Sequence, residues 1–299
     1  MRPVAISFVA ALVLSAAQQV LPVPPTIEQL VDSNRLPEAR ERLKAEEASA
    51  GRNTRTRLLT AMILHREKRY AESLAELKEL LGPEQRDARV YKLFGLNLVS
   101  LGREADAEDY FRAAVKLAPE DLLAQYYLGM SELALSRYVE AERIFRGLAS
   151  RQPASVEVLT MLGLSLEQQS KTEQAIETYR QAVEAAVRTR QPALQQRVYL
   201  GRYLQTLGRF TESVPAFEAV LAEQPGHAEA QRLLGRALLE TGEPGKALPL
   251  LEGAVARNPA DRSSRYLLAR AYQRLGRDRD AQRQFQLLRE TTPAPSRTR

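Results

Sequence analysis

Residues 88–121 read ARVYKLFGLNLVSLGREADAEDYFRAAVKLAPED, and residues 122–155 read LLAQYYLGMSELALSRYVEAERIFRGLASRQPAS. Aligned, they share a small residue between apolar neighbours (Gly95, Gly129), a second small one twelve positions on (Ala107, Ala141) and a Phe four after that (Phe111, Phe145). The first small residue recurs as Ala61, Gly95, Gly129, Gly163, Gly201, Gly235 and Ala269, at steps of 34, 34, 34, 38, 34 and 34 residues. The second recurs as Ser73, Ala107, Ala141, Ala175, Ser213, Ala247 and Ala281, and the bulky residue as Leu77, Phe111, Phe145, Tyr179, Phe217, Leu251 and Phe285. A 34-residue period denotes stacked supersecondary units, each too small to bury its own apolar face. The period therefore predicts one continuous array over most of the chain.

Each unit reads as two helices. Leu159, Leu162, Gly163 and Leu166 fall at i, i+3, i+4 and i+7, one apolar stripe, and Ala175, Tyr179 and Ala182 form a stripe on a partner starting near Thr172. Glycine inside a helix costs about 0.8–1.0 kcal/mol relative to alanine, so a recurrent one implies close backbone approach where the two helices cross. Pro119, Pro153, Pro225, Pro259 and Pro293 recur near unit ends, where a residue that cannot continue a helix separates one unit from the next.

The 299 residues carry a net charge of +6, with 27% charged residues, the composition of a soluble protein with ample polar surface. The absence of cysteine excludes a disulfide framework, a thiolate nucleophile, a Cys-ligated metal and a lipid-acylated N-terminus. Only His65 and His227 are present, far apart in the array, which argues against histidine-based catalysis or a zinc site. No Gly-rich phosphate loop and no grouping of nucleophile, base and orienting residue occurs, so we expect no enzyme and no cofactor.

The first residues break the pattern. Arg2 precedes an apolar run from Val4 to Ala17 that is short for a bilayer span, and Ser15-Ala16-Ala17 supplies small residues before Gln18. Residues 1–17 thus read as a signal peptide, placing the repeats outside the cytoplasm, in the periplasm or secreted. The alternative is an uncleaved anchor in the inner membrane, lengthened by Val20 and Leu21.

The pattern of Tyr91, Gly95, Ala107, Phe111, Ala114 and Pro119 resembles the tetratricopeptide repeat, of the secreted or periplasmic bacterial type. The resemblance implies an all-α, right-handed α-solenoid of about seven to eight helix-turn-helix units. Seven cover residues 54–87, 88–121, 122–155, 156–193, 194–227, 228–261 and 262–293; a degenerate repeat or cap fills 18–53, where Ala39 lies 34 residues before Ser73, and 294–299 form a disordered tail. The first full unit departs from the pattern at Ala61, Ser73 and Pro83. The fourth carries four extra residues around Val187 to Pro192, about one helical turn, predicting a lengthened helix or loop.

The resemblance further implies that first helices line a concave groove, with positions 2, 5, 9, 12 and 13 of each unit facing a bound segment. Early units place Leu58, Met62, Leu96, Val99, Leu123, Tyr126, Met130 and Leu133 there, with Arg55, Arg66, Arg89 and Lys92 interspersed; late units place Arg202, Arg232, Arg236, Arg270 and Arg274. Thr160, Leu164, Glu167 and Gln168 mark the transition. Arg202, Arg236 and Arg270 share position 9, a ladder whose neighbours, about 8–10 Å apart, repel by only about 0.4 kcal/mol in water. An anion bridging them gains about 1.5–3 kcal/mol per charge-assisted bond. Position 9 holds no Asn, so the Lys/Asn clamp of chaperone-binding relatives is absent.

These features favour a non-catalytic protein–protein interaction scaffold of the bacterial envelope, gripping a partner segment with an acidic and an apolar stretch. The alternative is binding of nucleic acid or another polyanion by the basic half of the groove, which a pI of about 9.6 permits.

Overall fold

The computed structural model describes residues 24–290. The expected signal peptide, the first residues of the N-terminal cap, Pro293 and the expected tail lie outside that range. Within it, every element is helical: sixteen α-helices and one short 3₁₀ turn. The architecture is that of an all-α solenoid.

The 34-residue period predicts one uninterrupted stack, but the chain divides into two compact units at Leu80/Leu81. The first contains α1 (Ile27–Asp32), α2 (Leu36–Ala50), α3 (Thr54–Arg66) and α4 (Tyr70–Lys78). The second contains α5 (Ala88–Ser100), α6 (Glu108–Leu117), α7 (Leu122–Ala134), α8 (Tyr138–Arg151), α9 (Val156–Gln168) and α10 (Thr172–Arg188). It continues with α11 (Leu194–Thr206), α12 (Phe210–Glu223), α13 (Ala228–Glu240), α14 (Pro244–Arg257), α15 (Arg262–Arg274) and α16 (Asp278–Glu290). The boundary follows a premature stop: α4 has nine residues where α8 has fourteen, and Gly82-Pro83 follows its end. The four extra residues of the fourth unit extend its second helix, so that α10 has seventeen residues.

Local chemistry repeats with the same period. First helices are opened by Asn53, Asp87, Asp121, Ser155, His227 and Asp261, whose side chains accept hydrogen bonds from the otherwise orphaned amides of the first turn. Ala193, after the lengthened helix, breaks the series. The turn inside each helix pair uses one residue in the left-handed region: Gly102, Gly208, Gly242 and Gly276, but also Asn34, Lys68, Ser136 and Ser170. The next residue is often an Arg that bonds an acid three positions on, as in Arg69 with Glu72 at 2.6 Å and Arg209 with Glu212 at 2.6 Å. Glu243 and Lys246 repeat the pair with the charges exchanged.

Packing explains the small residues. A Cβ added to Gly95, Gly129, Gly163 or Gly201 meets the ring of Phe111, Phe145, Tyr179 or Phe217 at 2.5–2.8 Å, closer than real side-chain contacts allow. Gly235 stands in the same relation to Leu251. All five bulky residues are fully buried. The backbone of each first helix thus rests directly on a side chain of its partner.

Three acids are buried along the second unit, Glu108, Glu132 and Glu142. Glu132 on α7 is 1% exposed and accepts from Arg112 on α6 at 2.6 Å. Glu142 on α8 accepts from Lys171 at 2.6 Å, Gln169 at 2.7 Å and Arg146 at 2.8 Å. Burial by itself raises the Glu142 carboxyl, yet the bonds from Lys171, Arg146 and Gln169 outweigh it and hold the group down at about 2.

Gly129→Ala should destabilise by about 1–3 kcal/mol through overpacking, and Phe145→Ala by about 3–5 kcal/mol through a cavity. Combining Gly129→Ala with Phe145→Leu should cost less than the sum of the single changes, because the two atoms compete for one space. Urea denaturation of the four variants checks this. A folded value below the unfolded one means that Glu142 stabilises fully above about pH 4.5 and loses that contribution as pH falls toward about 2. Glu142→Gln should therefore destabilise by about 3 kcal/mol at pH 7 and by much less near pH 2, as measured by denaturation at both.

Candidate functional site

In the second unit the first helices form an inner rank. α7 touches α9, α11 touches α13 and α13 touches α15, while α6, α8, α10, α12 and α14 each pack between the first helices on either side. The surface of α5, α7, α9, α11, α13 and α15 is the candidate interface.

Its early part is apolar. Leu96, Tyr126, Met130, Leu133 and Leu164 are half-buried, and Leu123 on α7 is 49% exposed. Tyr126 sets its edge against Phe145, with ring centroids 5.8 Å apart, while Tyr127 stacks on Phe111 of the preceding pair at 5.4 Å. The adjacent tyrosines thus pack differently, Tyr126 within its own helix pair and Tyr127 across to the preceding one. Thr160 leaves the predicted groove, for it is buried and its hydroxyl donates to the Val156 carbonyl at 2.6 Å.

The compact first unit carries the other two predicted contacts. Met62 is half-buried against Leu59 and Ile63 of its own helix and the apolar cluster of α1 and α2. Leu58 is 4% exposed and belongs to the core, which corrects its assignment as a groove residue. At the same repeat position Tyr126 is half-buried and Tyr266 exposed, whereas Leu58 and Thr160 are buried.

The five predicted arginines all fall at the C-terminal end of the second unit, but their electrostatic surroundings differ. Arg270 donates to Glu240 at 2.9 Å, and Arg274 reaches the same carboxylate at 3.8 Å while donating to the Leu239 carbonyl. Arg232 lies 3.4 Å from Asp261. Arg236 sits 5.5 Å from the centroid of the Phe210 ring. Among the described residues no carboxylate pairs with Arg236 or Arg202. The three-step ladder therefore comprises two guanidinium groups without an ion pair and one paired with Glu240.

Several cavities open beside them, and two of these are lined by Arg236. One of about 260 Å³ lies between α11 and α13 and is lined by Arg202, Arg232, Arg236, Gln205 and Glu229. Gln205 is buried there and donates to the Leu233 carbonyl at 2.7 Å, tying α11 to α13. The other, of about 490 Å³, lies among α13, α15 and the end of α16, with Arg236, Arg262, Arg270, Tyr266 and Leu288 in its wall. Tyr266, 49% exposed, escapes the sequence reading although it stands at the same repeat position as Tyr126; Leu288 does so because it belongs to a second helix. No group of three or more His, Asp or Glu suited to a metal occurs among the described residues.

The tetratricopeptide repeat family matches residues 28–88, 93–156, 131–190, 200–262 and 238–297, and the chain belongs to that family. No curated protein matches it. Among solved structures it is similar to a chain of the APC/C hetero-tetramer Cut9–Hcn1, with a TM-score of 0.59 and 16% identity over 82% of this chain; it spans only 48% of that chain. It is also similar to a tetratricopeptide repeat protein from Parabacteroides merdae, with a TM-score of 0.55 and 18% identity, covering 82% of this chain and 95% of the other. MamA from Desulfovibrio magneticus gives a TM-score of 0.53 and 19% identity, covering 57% and 95%. At these identities the likeness is one of fold. Tetratricopeptide repeat proteins act as protein–protein interaction scaffolds, and the fold is typically non-catalytic.

Proposed function

We propose that this protein is a non-catalytic scaffold of the bacterial cell envelope that holds an extended segment of a partner protein along the first helices of its second unit. The observation that carries the reading is the division of that surface. Leu96, Leu123, Tyr126 and Met130 offer apolar contact at one end, and Arg202 and Arg236, exposed and engaged in no ion pair among the described residues, offer positive charge at the other. A partner segment with an acidic and an apolar stretch is complementary to both. Export rests on Arg2, the apolar run Val4–Ala17 and the small residues Ser15 and Ala17. No helix among the described residues is long and apolar enough to cross a membrane.

Changing Arg202, Arg236 and Arg270 together to Glu should lower thermal melting only modestly, since the exposed Arg202 and Arg236 contribute about 0–1 kcal/mol each and the loss is confined to the pair that half-buried Arg270 makes with Glu240. Retention of a native envelope partner by the immobilised full-length chain should fall, most at low salt. Met130→Lys should weaken retention with little salt dependence. Undiminished retention by the triple variant excludes the charged half. A loss of more than three decades in affinity between about 50 and 200 mM salt instead indicates a nucleic acid. The exported protein should begin at Gln18, and N-terminal sequencing that reads Met1 contradicts cleavage.

A further inference from the structure

The two cavities share one wall, formed by Arg232 and Arg236. On one side that wall is joined by Arg202 and Glu229; on the other by Tyr266, Leu267 and Leu288. The larger cavity also holds Arg262 and Arg270, so four guanidinium groups face one carboxylate, Glu240, which already accepts from Arg270. Arg232 is likewise engaged with Asp261, and Arg262 donates to the Leu288 carbonyl at 3.0 Å. Arg236 and Arg202 remain the guanidinium groups that make no ion pair among the described residues, with Glu229 and Glu240 standing in the cavity walls beside them. Phe210 holds the Arg236 guanidinium in place through its ring face. Gln205, bonded across to the Leu233 carbonyl, fixes the step between the helices that carry Arg202 and Arg236.

From this we infer that the last three repeats form a two-part recognition site for a partner segment carrying an acidic residue next to an aromatic one. The carboxylate enters the smaller cavity between Arg202 and Arg236, and the aromatic ring enters the larger one against Tyr266, Leu267 and Leu288. The inference rests on the scaffold reading and sharpens it, because both determinants lie within α11 to α16 and the apolar floor of α5 to α9 is not needed for this motif. A guanidinium fork matches a carboxylate geometrically, and a large rigid ring gains much contact area for little lost entropy. Side chains two residues apart in an extended segment point to the same side, so one segment can address two cavities that share Arg232 and Arg236. Charge also selects the occupant: the chain's own residues 291–299, TTPAPSRTR, contain two arginines and no carboxylate side chain.

The test uses the full chain and two dye-labelled peptides in a Gly/Ser frame, one carrying Glu-Glu-Ser-Phe and one the reverse order, read by fluorescence anisotropy. At least one should bind the parent, and replacing its Glu by Gln or its Phe by Gly should each weaken binding by about tenfold. Arg236→Gln and Arg202→Gln should erase the preference for Glu over Gln. Tyr266→Ala should erase the preference for Phe over Gly while keeping the preference for Glu. Arg209→Gln, which removes an arginine bonded to Glu212 and Glu173 outside both cavities, serves as the control and should bind as the parent does. Absence of binding up to about 1 mM, or parent-like preferences in Arg236→Gln and Tyr266→Ala, overturns the inference. If binding ignores those two changes but is lost in Met130→Lys, the two-part site falls and groove recognition stands. Binding that emerges only after residues 291–299 are removed assigns the cavities to the tail, and a dimer dissociated by Arg236→Gln assigns them to a second copy; either result overturns it.

Discussion

A first-helix backbone lying directly on a partner-helix side chain is the contact on which the rest of this protein depends. At Gly129 there is no room for even one carbon beyond the backbone, because the Phe145 ring occupies it. Repeated at Gly95, Gly163, Gly201 and Gly235, this contact sets the crossing of each pair in the second unit, and the regular crossing presents position after position on a common face. Glycine in the middle of a helix is locally unfavourable by about 1 kcal/mol, so its recurrence records a tertiary demand. Burial of Phe111, Phe145, Tyr179, Phe217 and Leu251 offsets that cost within each pair.

The steric skeleton was legible in the sequence because it depends on residue size alone. Small, small and bulky at constant offsets allow few packings, and the helices that carry Gly129 and Phe145 do cross there. The capping residues Asn53, Asp87, Asp121, Ser155 and Asp261 stand in the same register, a signal present in the sequence but masked by the commonness of such residues on polar surfaces. The division at Leu80/Leu81 was hidden because the period runs through it; only the short α4, ended before Gly82-Pro83, marks the place.

The electrostatics of the candidate site were less legible, for a physical reason. Arg202, Arg236 and Arg270 are equivalent by position, yet Arg270 meets Glu240 from a helix thirty residues away and Arg236 meets the ring of Phe210. Which guanidinium is left without a carboxylate depends on side-chain reach across helices, and periodicity is silent on that. Leu58 failed for a related reason: a groove position is open only if its neighbours leave it so, and in the first unit it is buried. Tyr266 was within reach, since it shares its repeat position with Tyr126. The resulting surface is neither uniformly basic nor uniformly apolar, which favours a segment of mixed chemistry over a uniform polyanion.

Recognition on the first-helix face is tested most directly by placing a photo-reactive residue in the full chain, in the producing cells, at one of two exposed apolar positions. Leu123, 49% exposed, lies on first helix α7; Val139, 67% exposed, lies on second helix α8 of the same pair. Irradiation should yield a single defined protein adduct from position 123 and none from position 139. An adduct from 139 alone, or the same adduct from both, contradicts recognition by the first helices.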